Sequence, residues 1–264
     1  MALIQTTFLS KTLMREVNVV ALLPDTFQKA GMTFLDTYRP GAKFQTLYLY
    51  HGAMGNEWDW LRKTALGRYV ENNMLAVIMP SAELSFYTDG TFFGEELVDA
   101  TRFLFPLSRR RADTFVAGLS MGGYGALRTA LNFPDRFSAA ASISGALDVY
   151  GHYNQLKATP TPGMGPELYE NAFGDMEGFR GGENDLFHMS ARRAEEGKLP
   201  EIYQACGTED FLYKGNIAFR EHMKGLGAEH TYAEGSGGHE WAYWDAHIEK
   251  IIDWLPLKKA IIAE

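Results

Sequence analysis

Seven apolar runs punctuate the chain, at residues 17–23 (VNVVALL), 45–50 (QTLYLY), 74–79 (MLAVIM), 114–117 (TFVA), 137–143 (FSAAASI), 201–206 (EIYQAC) and 229–233 (EHTYA). Each is closed within two residues by a glycine or a proline. Short continuous apolar runs bounded in this way fit strands buried on both faces. Between them lie stretches with apolar residues three and four apart, at 60–69, 95–105, 125–133, 217–226 and 241–255, the spacing of amphipathic helices. Strands alternating with helices predict an α/β fold, a mainly parallel sheet covered by helices on both faces. Residues 3–12 and 15–23 have no helix between them, so they are expected to form an antiparallel hairpin at one sheet edge.

One stretch breaks the alternation. Residues 148–198 are rich in glycine and proline and include Thr159-Pro160-Thr161-Pro162-Gly163. A connection this long inside a compact domain is usually functional. We read residues 1–264 as one domain, with 148–198 as a cap-like insertion over the C-terminal edge of the sheet. A purely structural excursion is the alternative. The length of 264 residues is compatible with one domain, since single α/β domains often reach about 250 residues.

Apolar residues make up 46% of the chain and charged residues 22%, which separates it from disordered chains. The net charge of −8 argues against nucleic acid as a partner. The short basic run Arg109-Arg110-Arg111 reads as a solvated loop or helix end. A lone cysteine, Cys206, excludes an intramolecular disulfide framework and a paired-cysteine zinc site. Nothing reads as a membrane span or as a signal peptide at the N-terminus, so a cytoplasmic location and no membrane partner are expected.

The strongest chemical signal is Gly118-Leu119-Ser120-Met121-Gly122, a G-x-S-x-G between a strand-like and a helix-like run. That is the context of a nucleophile elbow, where a sharp turn presents the serine and small neighbours let strand and helix approach. The amide of Met121, at the start of a helix, is then available to an oxyanion. A serine hydroxyl needs a base, and in the nucleophile-elbow order the acid and then the histidine follow it. His222, His230 and His247 fall within helical or strand patterns. His239, in Gly237-Gly238-His239-Glu240, lies between the last strand and the last helix, where a base is expected. The acid should follow the preceding strand, where Glu209 and Asp210 compete. Asp210 is preferred because a shorter side chain suits a buried orienting role, which leaves Glu209 to face solvent or brace the loop. The turn after 45–50, His51-Gly52-Ala53, is expected to supply a second oxyanion donor from the amide of Ala53, with His51 a polar prop. Trp58, Trp60 and Trp241 fall just beyond these loops. Trp58 and Trp241 are the candidates for lining a substrate pocket, with a place in the core as the alternative.

The segments YLYHGAMGNEWDW, AVIMPSAELSFYTDG, TFVAGLSMGGYGALRTAL, RFSAAASISGALD, CGTEDFLY and GGHEWAYWD, taken in order, resemble the tributyrin esterase family. That family is related to esterase D (S-formylglutathione hydrolase) and to the acetyl-xylan and feruloyl esterases. The resemblance runs from about residue 44 to residue 254 and fades in the insertion. It implies an α/β-hydrolase and a serine carboxylesterase acting on short acyl groups, with the triad on Ser120, Asp210 and His239. The expected substrate is a small-molecule or carbohydrate-linked ester, no metal or organic cofactor is expected, and a homo-oligomer is compatible with the resemblance. Feruloyl, acetyl-xylan or S-formylglutathione hydrolysis, acyl transfer, and an inactive hydrolase fold used for binding are the alternatives.

Overall fold

The computed structural model describes residues 1–25, 37–71, 73–159 and 165–263. The chain begins with the expected hairpin: β1 (Ala2–Ser10) pairs antiparallel with β2 (Arg15–Leu23). The other apolar runs form β4 (Gln45–Tyr50), β5 (Leu75–Pro80), β6 (Thr114–Leu119), β7 (Ala139–Ile143), β8 (Glu201–Gly207) and β9 (His230–Gly235). These eight strands make one sheet in the order β1-β2-β5-β4-β6-β7-β8-β9. β2 meets β5 antiparallel, and every pairing from β5 to β9 is parallel. Two-residue strands β3 (Ala42–Lys43) and β10 (Ile262–Ala263) pair separately; neither is long enough to leave a periodic signal.

Alternate residues of the central strands enter opposite cores. Tyr48, Ile78 and Val116 belong to one apolar cluster, while Leu47, Val77 and Phe115 belong to the other. This is why those strands read as continuous apolar runs. The second face is covered by α1 (Asp59–Lys63), α2 (Leu66–Glu71) and α9 (Trp241–Trp254), through Trp60, Val70 and Ile248. The first is covered by α3 (Leu97–Leu104), α4 (Met121–Asn132), α5 (Val149–Ala158), α6 (Glu167–Phe173), α7 (Leu186–Glu195) and α8 (Tyr213–Gly225). The segment 148–198 carries α5, α6 and α7 between β7 and β8. Within its Thr-Pro stretch, residues 160–163 lie outside the described residues.

Two helical expectations need correction. The periodic stretch 60–69 is two helices, because Thr64 takes an extended backbone and its hydroxyl turns back onto the Trp60 carbonyl. The carboxylate of Asp245, on α9, then accepts from the Ala65 amide at 2.8 Å and starts α2 afresh. The stretch 95–105 begins instead as a π-helical turn, Phe92–Glu96, leading into α3. The strand order also sets up the site. β4 leads to β5 on one side and β6 leads to β7 on the other, so the loops leaving β4 and β6 diverge and open a crevice at the strand ends.

Candidate active site

Ser120 sits at the C-terminal end of β6, in that crevice. Its backbone has φ 54° and ψ −121°, a conformation that costs a non-glycine residue about 1–3 kcal/mol. The strain is locked in by three hydrogen bonds. The Ser120 amide donates to the Ile143 carbonyl at 2.9 Å, and its carbonyl accepts from Tyr124 and Ala146. Glycines make the turn sterically feasible. A Cβ on Gly118 would lie 2.3 Å from the Gly122 carbonyl oxygen, and one on Gly122 would lie 2.5 Å from the His51 carbonyl oxygen.

Ser120 Oγ lies 2.9 Å from His239 Nε2, and His239 Nδ1 lies 2.9 Å from Asp210 Oδ2. With Nδ1–H donating to the carboxylate, Nε2 is left to accept the serine proton. The Asp210 side chain is fully buried, and its second oxygen accepts from the Leu212 amide at 2.8 Å. The imidazole is held by ring contacts as well. Phe211 packs against it with centroids 4.5 Å apart, and Trp244 meets it edge-on at 4.9 Å.

The loops carrying the acid and the histidine are laced together beyond the ends of β8 and β9. Thr208 donates to the Gly235 carbonyl, and the Glu209 amide to the Gly237 carbonyl. The Glu209 carboxylate accepts in return from the Gly237 amide and from the Thr208 hydroxyl. The Gly237 amide, chief among these donors, holds the Glu209 carboxyl below the usual carboxylate range. Glu209 thus braces the histidine loop, whereas Asp210 meets the histidine itself. The sequence left Glu209 either to face solvent or to brace the loop, and the way the β8 and β9 loops meet selects the brace.

After β4, His51 is buried and ties two loops together. Its Nε2 accepts from the Ala82 amide at 2.9 Å, and its Nδ1 lies 2.7 Å from the Gly52 carbonyl oxygen. Burial pushes its pKa down, so it stands neutral as a prop beneath Gly52 and Ala53. No carbonyl of a described residue accepts from the Ala53 or Met121 amide, so both donors remain available.

A cavity of about 350 Å3 opens beside Ser120, with Ala53, Asp59, Lys63, Trp241 and Trp244 among its lining residues. Trp58 does not line it. Its indole lies beneath the Arg62 guanidinium, 5.6 Å from the ring centroid, and packs against the core of that face. Trp244 is a lining residue that motif reading passed over; its position three residues after Trp241, on one helix face, was the available signal. Asp59 and Lys63 pair at 3.3 Å on the same wall. The segment 148–198 reaches the edge of the site through His152, whose ring centroid is 5.8 Å from that of Phe211. The basic run serves its own chain, with Arg110 on Asp113 and Arg111 on the Pro134 carbonyl. Cys206 is buried and its thiol pKa is pushed up by burial. Among the described residues, no group of three or more His, Cys, Asp or Glu side chains is placed to hold a metal ion, and no helix is long and apolar enough to cross a membrane.

Residues 10–255 match the family described as "Putative esterase". The chain belongs to this esterase family. It is 35% identical to an acetyl esterase of Caldicellulosiruptor saccharolyticus, over 97% of this chain and 98% of that protein. The fluorophosphonate-binding serine hydrolase F of Staphylococcus aureus superposes with a TM-score of 0.82 at 28% identity, covering 96% of the esterase and 98% of that chain. An S-formylglutathione hydrolase from Staphylococcus aureus gives 0.80 at 29% identity, over 96% and 98%. The esterase has the α/β-hydrolase fold and is a serine esterase, a carboxylic ester hydrolase.

Proposed function

We propose that this esterase hydrolyses short-chain acyl esters, acetyl to butyryl, through an acyl intermediate on Ser120. The observation that carries the reading is the hydrogen-bonded line from Ser120 through His239 to buried Asp210, facing the 350 Å3 cavity. Ser120 Oγ attacks the ester carbonyl carbon while His239 Nε2 takes its proton. The carbonyl oxygen becomes an oxyanion held by the Ala53 and Met121 amides, whose dipoles are already oriented and cost no reorganisation. Collapse of this intermediate breaks the bond to the alcohol oxygen, which receives the proton from His239. Water then attacks the acyl-serine, with His239 as base, and releases the acid and the free serine. Asp210 keeps Nδ1 protonated and stabilises the imidazolium without taking its proton.

Trp241 forms the apolar wall against which a short acyl chain packs. The segment 148–198 acts as a cap on the alcohol side, a reading supported by the contact of His152 with Phe211 beside His239. The test pairs labelling with kinetics. A fluorophosphonate probe should label Ser120 stoichiometrically, and p-nitrophenyl acetate and butyrate should be turned over with a burst of nitrophenolate. No labelling and no turnover by folded protein would end the reading. S-formylglutathione belongs in the same panel, because the hydrolase of that name shares this fold at 29% identity; a kcat/KM for it far above that for acetate esters would move the substrate class to thioesters.

A further inference from the structure

Phe211 also borders a second cavity. This one has a volume of about 160 Å3, and Asp148, His152, Gln155, Leu212 and Lys214 share its lining with Phe211. It is formed where the first two turns of α5, within the insertion, meet the start of α8, just past Asp210. Phe211 thus belongs to both cavities, and its half-exposed ring is all that the two linings have in common.

The chemistry of the walls is mixed. Asp148 presents a carboxylate, Lys214 an ammonium, and Gln155 an amide able to donate and accept. The Tyr169 hydroxyl lies 2.6 Å from His152 Nδ1 and shares a hydrogen bond with it. Burial lowers the pKa of His152 and favours the neutral ring, whose two nitrogens offer one donor and one acceptor. An anion would face Asp148, and a cation would face Lys214. Neutral hydroxyl groups, which donate and accept, satisfy both, while Leu212 and Phe211 offer apolar surface to a carbon skeleton. The volume corresponds to about five water molecules at roughly 30 Å3 each, enough for a compact alcohol and too little for a long chain.

We infer that this cavity is a binding subsite for the alcohol part of the ester, and that it selects a compact polyhydroxylated alcohol over a plain alkyl one. The inference rests on the acyl-serine reading. With the ester carbonyl over Ser120 and the leaving oxygen facing His239, the alcohol runs along Phe211, which packs on the His239 ring, and its hydroxyls reach the second cavity.

The test compares 1-acetylglycerol with propyl acetate, esters with the same acyl group and the same three-carbon chain that differ by two hydroxyls. The expected result is a kcat/KM for 1-acetylglycerol about tenfold above that for propyl acetate, carried mainly by KM. Gln155→Leu and Lys214→Met should each reduce that ratio by roughly 3–10-fold, the range for one lost hydrogen bond. Gln155→Asn, which keeps the amide, should retain part of it. Equal kinetics for the two esters, or a ratio unmoved by both substitutions, would overturn the subsite and leave the acyl-serine reading standing. Turnover of neither ester, together with no fluorophosphonate labelling of Ser120, would overturn both.

Discussion

Removing the Ser120 hydroxyl tests the nucleophile with little structural disturbance, because the backbone hydrogen bonds that hold the turn involve its amide and carbonyl only. Ser120→Ala is expected to abolish ester turnover and fluorophosphonate labelling while shifting the melting temperature by less than about 2 °C. Near-wild-type rates from such a folded variant would remove Ser120 from the mechanism. The two neighbouring acids separate just as cleanly. Asp210→Asn should lower kcat by about 10⁴, since an amide oriented toward His239 favours the wrong tautomer. Glu209→Gln keeps an oxygen for the Gly237 amide and should cost no more than a few-fold. Steady-state kinetics giving the reverse order would transfer the orienting role to Glu209.

At the scale of elements, two helical segments carry side chains whose pKa values the fold displaces. The π-helical turn before α3 brings Glu96 onto the β1–β2 turn, where its carboxylate accepts from the Ser10 hydroxyl and the Lys11 and Thr12 amides at 2.7–3.0 Å. Those bonds outweigh the opposing cost of burial and draw its pKa down to about 2. Glu96→Ala should therefore destabilise the fold by roughly 1–3 kcal/mol at neutral pH, read as a lower urea midpoint. A change below a few tenths of a kcal/mol would show that the hairpin turn does not depend on it. On α9, His247 stacks on Tyr243 at 4.2 Å with its Nδ1 buried and unpartnered among the described residues. Burial lowers its pKa from 6.5 to about 4. The unfolded chain takes up this proton first as pH falls, so stability is lost progressively from about pH 6.5 down toward pH 4. His247→Phe retains the ring and removes the proton site, so its melting temperature should fall less between pH 7 and pH 5 than that of the parent. Parallel losses would place the acid sensitivity elsewhere.

For the whole molecule, the cavity beside Ser120 is enclosed by two tryptophans and by the Asp59–Lys63 pair. A long acyl chain would have to strip water from that pair without replacing its hydrogen bonds. The kcat/KM for p-nitrophenyl octanoate is accordingly expected to fall at least about tenfold below that for the butyrate, a difference of about 1.4 kcal/mol. A profile rising toward octanoate, with activation at a lipid interface, would contradict this size limit. The α/β class, the edge hairpin and the order of strands and helices were legible in the sequence, because burial of strands on two faces and of helices on one leaves different periods in the chain. The G-x-S-x-G turn and the loop positions of His239 and Asp210 were legible too, since an elbow constrains its own residue types and the chain order restricts its partners. Other features depend on contacts between residues far apart in sequence. The restart of the helix at α2 rests on Asp245, 180 residues away from Ala65; the brace from Glu209 follows from the meeting of the β8 and β9 loops; and Trp58 and Trp241, both packed on the same core, are separated only by which of them reaches the cavity beside Ser120. Local pattern specifies what a segment can become, whereas the walls of a site are chosen by long-range packing, which places a side chain by what surrounds it in space.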